Sequence, residues 1–293
     1  MTDQSIIELT STEFPPALME IPEPPKKLFL QGAWPGPGFL YLTVVGARRL
    51  STYGREVTQK LITALTGESV VIVSGLAIGI DTIAHQTALA CGLKTLAIPG
   101  SGLDRTVLHP PGNRRLADEI LERGGALLSE LEPGEPAGIH TFPRRNRLMA
   151  GLAQAVMVIE AGEKSGTLIT ARLAVEYNRD VFAVPGSIFS PNSAGANQLL
   201  RQGATPITGP DDLREALGLA RRDRDEATGS RQLQLNEFSP SEQKLLGLLQ
   251  VENQPRDEII RALGGRPSEI NVMLAALELR GIIVESGGEF RLV

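Results

Sequence analysis

Four glycine-rich segments, each directly after an apolar run, hold the residues of this chain best suited to chemistry. They are Val44-Val45-Gly46-Ala47-Arg48, Val73-Ser74-Gly75-Leu76-Ala77-Ile78-Gly79, Ile98-Pro99-Gly100-Ser101-Gly102, and Glu160 to Thr167, ending in Ser165-Gly166-Thr167. Glycine lets backbone approach a ligand closely, and a turn that opens a helix leaves N–H groups free for an anion. A single such turn is more often only a tight strand-to-helix connection. Four in series point to one crevice at the C-terminal edge of a parallel sheet, and to a reader of phosphate backbone or nucleotide.

Arg48 is expected to project over that edge, where its planar fork suits a phosphate. Ser74, Gly75 and Gly79 combine a hydroxyl, glycines and helix N–H groups into a phosphate cradle. Asp81 falls in the first turn of the next helix, and His85, four residues on, shares its face. Two ligands make no metal site. Asp81 is expected to serve the helix N-terminus with His85 satisfied against it, a catalytic pair being the alternative. The densest basic patch, Arg144-Arg145-Asn146-Arg147, follows Phe142 at a helix start. Its arginines and Asn146 favour an anion, and Phe142 offers a ring for a base. Ser165, Gly166 and Thr167 make another hydroxyl-bearing helix entrance, and each motif alone reads as a capped helix.

The elements that position these residues alternate. Apolar runs at Tyr41–Val45, Val70–Val73, Thr95–Ile98, Ala126–Leu128, Ala155–Ile159 and Val181–Val184 read as buried strands. Helical spacing lies between them, at Tyr53–Leu65, Ile80–Cys91, Asn113–Leu121 and Leu168–Tyr177. The alternation predicts an α/β fold: an extended Rossmann-like, doubly wound, mostly parallel sheet over residues 39–218. Residues 1–38 form a proline-rich extension packing on this domain around one short strand, Leu28–Leu30. Residues 219–237 are charged, lack an apolar face and read as a linker. Over 238–293, Ser239-Pro240-Ser241-Glu242 starts a helix, two more helices follow, and Ile282–Glu285 and Glu289–Leu292 flank a glycine pair. That is a winged-helix pattern.

Charge narrows the partners. The net charge is −5, and residues 39–218 balance at 17 basic against 17 acidic, so anion binding has to come from a local patch. The winged-helix segment carries 6 basic against 8 acidic residues, which favours a protein-contact or structural role over reading duplex DNA. No apolar run is long enough to span a membrane and no signal peptide is evident. The single cysteine, Cys91, in an apolar helical pattern, is expected to be a buried small side chain in a cytoplasmic protein. No metal cluster or cofactor motif is present.

The chain resembles the DNA-processing protein A (DprA/Smf) family. The resemblance rests on Val-Gly-Ala-Arg at 45–48, Ser-Gly-Leu-Ala-Ile-Gly-Ile-Asp-Thr-Ile-Ala-His at 74–85 and Gly-Ser-Gly-Leu-Asp at 100–104. Ser129-Glu130, Phe-Pro-Arg-Arg-Asn-Arg at 142–147, Ser-Gly-Thr-Leu-Ile-Thr-Ala at 165–171 and Val-Pro-Gly at 184–186 continue it in order. The family's usual Gly-Ser-Arg reads Gly46-Ala47-Arg48 here, and its Tyr-Pro reads His109-Pro110. The resemblance implies a non-enzymatic mediator that binds and protects incoming single-stranded DNA, dimerises, and loads the RecA recombinase during natural transformation. It places a DNA-contacting arginine on Arg48 and a lysine on Lys94. It also sets the dimer contact on the terminal segment that holds Asn197, Leu200 and Arg201.

The alternative from another class is a phosphoribohydrolase of similar fold. Such enzymes carry a glutamate three residues after the threonine of a glycine-rich loop. Thr170 stands there after Thr167, so the carboxylate that hydrolysis needs is missing.

Overall fold

A strand turns successive side chains to opposite sides, and the core strands here are apolar on both. In β3 (Leu40–Val45), Tyr41 and Val45 join one core while Leu42 and Val44 join another. In β4 (Val70–Ser74), Val71 and Val73 face the first core and Val70 and Ile72 the second. The structure is a computed structural model that describes residues 5–220, 238–286 and 288–292. These fall into two compact units, residues 5–220 and residues 238–292. All but the first two residues of the 219–237 segment lie outside the described residues.

The first unit is built on a nine-stranded sheet ordered β1-β2-β6-β5-β4-β3-β7-β8-β9. The strands from β6 to β9 run parallel: β6 (Ala126–Ser129), β5 (Lys94–Ala97), β4, β3, β7 (Ala155–Val158), β8 (Asp180–Ala183) and β9 (Thr205–Pro206). Helices α2 (Thr52–Thr63), α3 (Ile80–Ala90) and α8 (Pro210–Ala216) cover one face through Leu61, Ile62, Ile80, Ala84 and Leu213. Helices α1 (Pro16–Met19), α5 (Thr141–Leu152), α6 (Thr167–Glu176) and α7 (Ala194–Arg201) cover the other. From β3 the order departs to β4 on one side and to β7 on the other. That reversal opens a crevice at the C-terminal strand ends.

The proline-rich segment does more than wrap the surface. Phe14, Leu18, Ile21, Leu28 and Leu30 are buried in the same core as Leu148 and Met149 of α5. β2 (Phe29–Gly32) then pairs antiparallel with β6, and β1 (Ile7–Glu8) pairs antiparallel with β2. Residues 28–32 contain no proline, so their N–H groups are free to extend the sheet. Cys91 also departs from expectation. It is only partly buried, at the C-terminus of α3, with its thiol 3.6 Å from the Thr63 hydroxyl.

The second unit has a capping box at Ser239 and Glu242 that starts α9 (Pro240–Val251), followed by α10 (Arg256–Leu263) and α11 (Pro267–Leu279). Its wing, β11 (Ile283–Ser286) and β12 (Glu289–Leu292), gains a third strand, β10 (Gln254–Pro255), beside β12. Leu245, Leu246, Ile259, Leu277 and Phe290 form its core.

Below the sheet edge, His85 is completely buried, with Nδ1 2.7 Å from the Thr95 hydroxyl. Thr95 donates to the Ile72 carbonyl. The expected contact of His85 with Asp81 is replaced by this one, because α3 turns His85 toward β5. Burial pushes the imidazole down to about 3, from an ordinary 6.5. The unfolded chain therefore binds a proton that the folded chain does not, and stability falls as pH drops below 6.5 toward 3. Between pH 6.5 and pH 5 this group should remove on the order of 2 kcal/mol. Urea unfolding at the two pH values should show that loss, and His85→Gln should flatten it. An unchanged pH slope in His85→Gln would show that other groups carry the acid sensitivity.

Candidate functional site

The crevice at the sheet's reversal point encloses about 440 Å³. Its floor is the end of β3, and its walls are the entrances to α5 and α6. Arg48 and Arg49 are exposed on the β3 turn, and no carboxylate among the described residues forms an ion pair with either. The Arg48 guanidinium lies 5.2 Å over the Phe142 ring, and His109 meets that ring edge-on at 5.8 Å. Phe142 is therefore a support for Arg48, with Gly100 beneath it close enough that a Cβ there would meet the ring at 2.5 Å. The ring, partly buried, also lines the crevice and the smaller cleft beside it. Burial and the neighbouring guanidinium groups of Arg48 and Arg145 hold His109 below its ordinary value.

Part of the second glycine turn and of the α6 entrance is held by bonds within the protein. Asp81 Oδ2 accepts from Gly75 N at 3.0 Å and from Ala77 N at 3.3 Å, and Ile80 N donates to Ala47 O. The buried Ser74 hydroxyl donates to Val44 O at 2.7 Å. At the α6 entrance, Ser165 Oγ accepts from Thr167 N, and the Thr167 hydroxyl donates to Gly46 O at 3.2 Å. Of the expected backbone cradle, the N–H groups of Gly75, Ala77 and Thr167 are thus already taken by the protein's own side chains. The exposed cations at this edge are the guanidinium groups of Arg48 and Arg49.

Arg145 explains Gly75. It is buried, and its Nη1 donates to Ile98 O at 2.8 Å. A Cβ on Gly75 would lie 1.5 Å from that Nη1 and 2.7 Å from Asp81 Oδ2. Burial pushes Asp81 above the usual carboxylate range, while the Arg145 charge and the two backbone donors oppose it. Arg145 is held below its ordinary value by the same burial, and Asp81 opposes that shift. Gly79 is the second forced glycine: at φ +90°, a Cβ would stand 2.2 Å from Ala47 O. Gly46, packed against Ile80, keeps the β3 turn close to α3.

The basic hexapeptide divides by depth. Arg147 is mostly buried, pairs with the buried Glu130, and donates to Glu23 O at 2.7 Å. Arg144 is exposed, with Nε 3.3 Å from the same Glu130. Asn146 is buried on the crevice wall. Lys94 is placed elsewhere: it begins β5, at the N-terminal edge of the parallel strands, over the Phe39 ring at 5.1 Å. It does not join the crevice. Asn197 uses its side-chain amide on both the N–H and the carbonyl of Gly186, and Leu200 partly packs on its own core, whereas Arg201 is exposed.

Residues outside the four glycine-rich segments and the basic stretch also build the site. Asn192 lines the crevice and donates to Arg49 O at 3.0 Å, and Ile139, Met149, Ile169 and Thr170 complete its walls. Only chain reversal brings them there. Glu160, also buried, accepts from Ser51 N at 3.0 Å and from the Ser51 hydroxyl, fixing the start of α2. Its position favours the positive end of that helix.

This architecture defines a doubly wound, Rossmann-like protein with an arginine-lined crevice at its reversal point. The chain belongs to the DNA recombination-mediator protein A family, whose model matches residues 5–218, and the DprA winged-helix domain matches residues 230–289. It is 37% identical to Protein Smf of Escherichia coli, over 98% of this chain and 77% of that one. It is 46% identical to the DNA processing protein DprA of Streptococcus pneumoniae, over 68% of this chain and 70% of that one. The X-ray structure of Streptococcus pneumoniae DprA superposes with a TM-score of 0.68 at 41% identity, covering 72% of this chain and 74% of that one. DNA processing protein A from Helicobacter pylori, described for its single-stranded DNA binding mode, superposes with a TM-score of 0.65 at 30% identity, covering 73% of this chain and 95% of that one.

Overpacking and loss of a buried charge partner set the expected effect of Gly75→Ala, on the order of 3 kcal/mol by urea unfolding. Gly166→Ala, where a Cβ meets open space, should stay within about 0.5 kcal/mol of the parent. A Gly75→Ala midpoint equal to the parent's would show that Arg145 can swing clear.

Proposed function

We propose that the crevice binds the phosphate backbone of single-stranded DNA, and that the protein protects incoming strands and loads the RecA recombinase onto them during natural transformation. The observation that carries the reading is the pair of exposed guanidiniums, Arg48 and Arg49, on the β3 turn. Family membership and the strand-binding relative from Helicobacter pylori support it. The phosphoribohydrolase alternative needs a carboxylate ready for chemistry. Asp81 is occupied by two backbone N–H groups and Glu160 by Ser51, which favours binding over hydrolysis.

The winged-helix unit is read as a protein-contact module. Arg280 pairs with Glu242 at 3.2 Å, Arg266 approaches Glu269 at 4.0 Å, and Arg256 pairs with Glu285 at 2.8 Å. Its flanking cations are thus already neutralised, while Val272 and Leu279 of α11 stand exposed.

A charge-assisted hydrogen bond contributes about 1.5–3 kcal/mol, so Arg48→Ala should weaken oligo-dT binding roughly 10- to 100-fold with the fold intact. The slope of log affinity against log salt should shrink by about 0.7, one phosphate contact on a single strand. Unchanged affinity and slope, or tighter binding of matching duplex than of oligo-dT by the parent, would reject the reading.

The protein is further proposed to act as a homodimer through the α7 end of the sheet, with Leu200 and Arg201 at the contact. Two crevices along one strand raise affinity through effective concentration. Light scattering at micromolar protein should report about twice the 31.4 kDa chain mass, and Arg201→Glu should lower it. A monomeric parent would remove the assembly, and a dimer indifferent to Arg201→Glu would move the contact.

A further inference from the structure

The arginine-lined crevice has an apolar rim that phosphate binding does not use. Ile139, 86% exposed, and Ile169 line the crevice itself, and exposed Ile78 lines the smaller cleft beside Arg48. The loop from β8 to α7 adds the two most conspicuous side chains, Ile188 at 84% and Phe189 at 91% exposed. Single exposed apolar residues are ordinary on a protein surface. Several on separate loops around one basic crevice are not.

The β8–α7 loop is held in place although its tip is bare. Asn197 brackets Gly186 from both sides, at 3.2 and 3.0 Å. Tyr53 donates its hydroxyl to Pro185 O at 2.7 Å, and Asn192 ties the far end of the loop to Arg49 O at 3.0 Å. Within the tip, Phe189 N donates to Ser187 Oγ at 3.2 Å and Ser190 N to Ser187 O at 3.0 Å. Phe189 is therefore carried, three residues before the crevice-lining Asn192, on a loop tied to the turn that holds Arg48 and Arg49, and its side chain is left almost wholly exposed.

We propose that this rim, led by Phe189, stacks the bases of the strand whose phosphates lie against Arg48 and Arg49, and that it makes the site select single strands over duplex. The inference rests on the DNA-binding reading above. Duplex and single strand both present phosphates, so guanidinium groups alone discriminate poorly between them. Only the single strand leaves base faces free to meet an aromatic ring, and every base has such a face, so the selection tolerates sequence.

The test compares the full-length parent with Phe189→Ala, Phe189→Trp and Arg48→Ala, on oligo-dT, on an abasic strand of equal length and on duplex. One stacked base corresponds to roughly 5- to 150-fold in affinity. Phe189→Ala should weaken oligo-dT binding by about 10-fold, within that range, and leave abasic strand and duplex unchanged. Phe189→Trp should restore it, with indole emission that responds to oligo-dT and not to the abasic strand. Arg48→Ala should weaken all three substrates. Equal losses on oligo-dT and abasic strand, or no loss on either, would overturn the stacking role while leaving strand binding intact. A drop in mass by light scattering for Phe189→Ala would overturn it too, making the loop a subunit contact. A parent that binds no oligo-dT would remove the DNA-binding reading and this inference with it.

Discussion

A guanidinium buried at the C-terminal edge of the sheet organises the site. Arg145 enters from α5, donates to Ile98 O at the end of β5, and balances the Asp81 charge from α3. Removing a charge from water is costly, and each of these two buried groups offsets part of that cost for the other. Asp81 in turn holds the β4 turn through Gly75 N and Ala77 N. Two buried groups thus join the ends of β4 and β5 to two helices, and α5, which Arg145 anchors, also carries the Phe142 ring under Arg48.

That arrangement changes what the glycine turns are for. Open N–H groups would make a nest for phosphate, as at other helix entrances. Here Asp81 and Ser165 occupy the N–H groups of Gly75, Ala77 and Thr167, and two of the glycines serve close packing: Gly75 against Arg145, Gly79 against the β3 turn. The exposed arginines of the β3 turn carry long side chains, which follow an irregular backbone better than a rigid nest does. Such a surface suits a polymer of phosphates more than one nucleotide held at a fixed point.

The arginine-rich stretch from 144 to 147 shows the same economy. Glu130, at the end of β6, takes Arg147 and draws Arg144, so much of the densest positive charge in the sequence anchors α5 to the sheet. The weaker cluster, Arg48-Arg49, keeps its charge for solvent because its turn carries no carboxylate within reach. Local charge density is a poor guide to available charge. Pairing decides.

Much of the architecture was legible in the sequence, because strand burial and helix starts are local. Val and Ile runs marked the parallel strands, Ser239-Pro240-Ser241-Glu242 marked the start of α9, and the crevice followed from four turns at one sheet edge. The motifs that identified the family also marked Arg48 and the α6 entrance, which meet in the crevice. What only tertiary structure decided was depth and partnership. Arg145 and Arg147 are two residues apart, yet one lies buried beside Asp81 and the other against Glu130. Lys94, a DNA contact by resemblance alone, starts its strand, so a parallel sheet puts it at the edge opposite the crevice. Asn192 carries no motif and reaches the crevice because its amide is held on the Arg49 carbonyl. Sequence patterns report which residues are apolar or charged along a few turns, whereas burial and pairing depend on contacts made across more than a hundred residues.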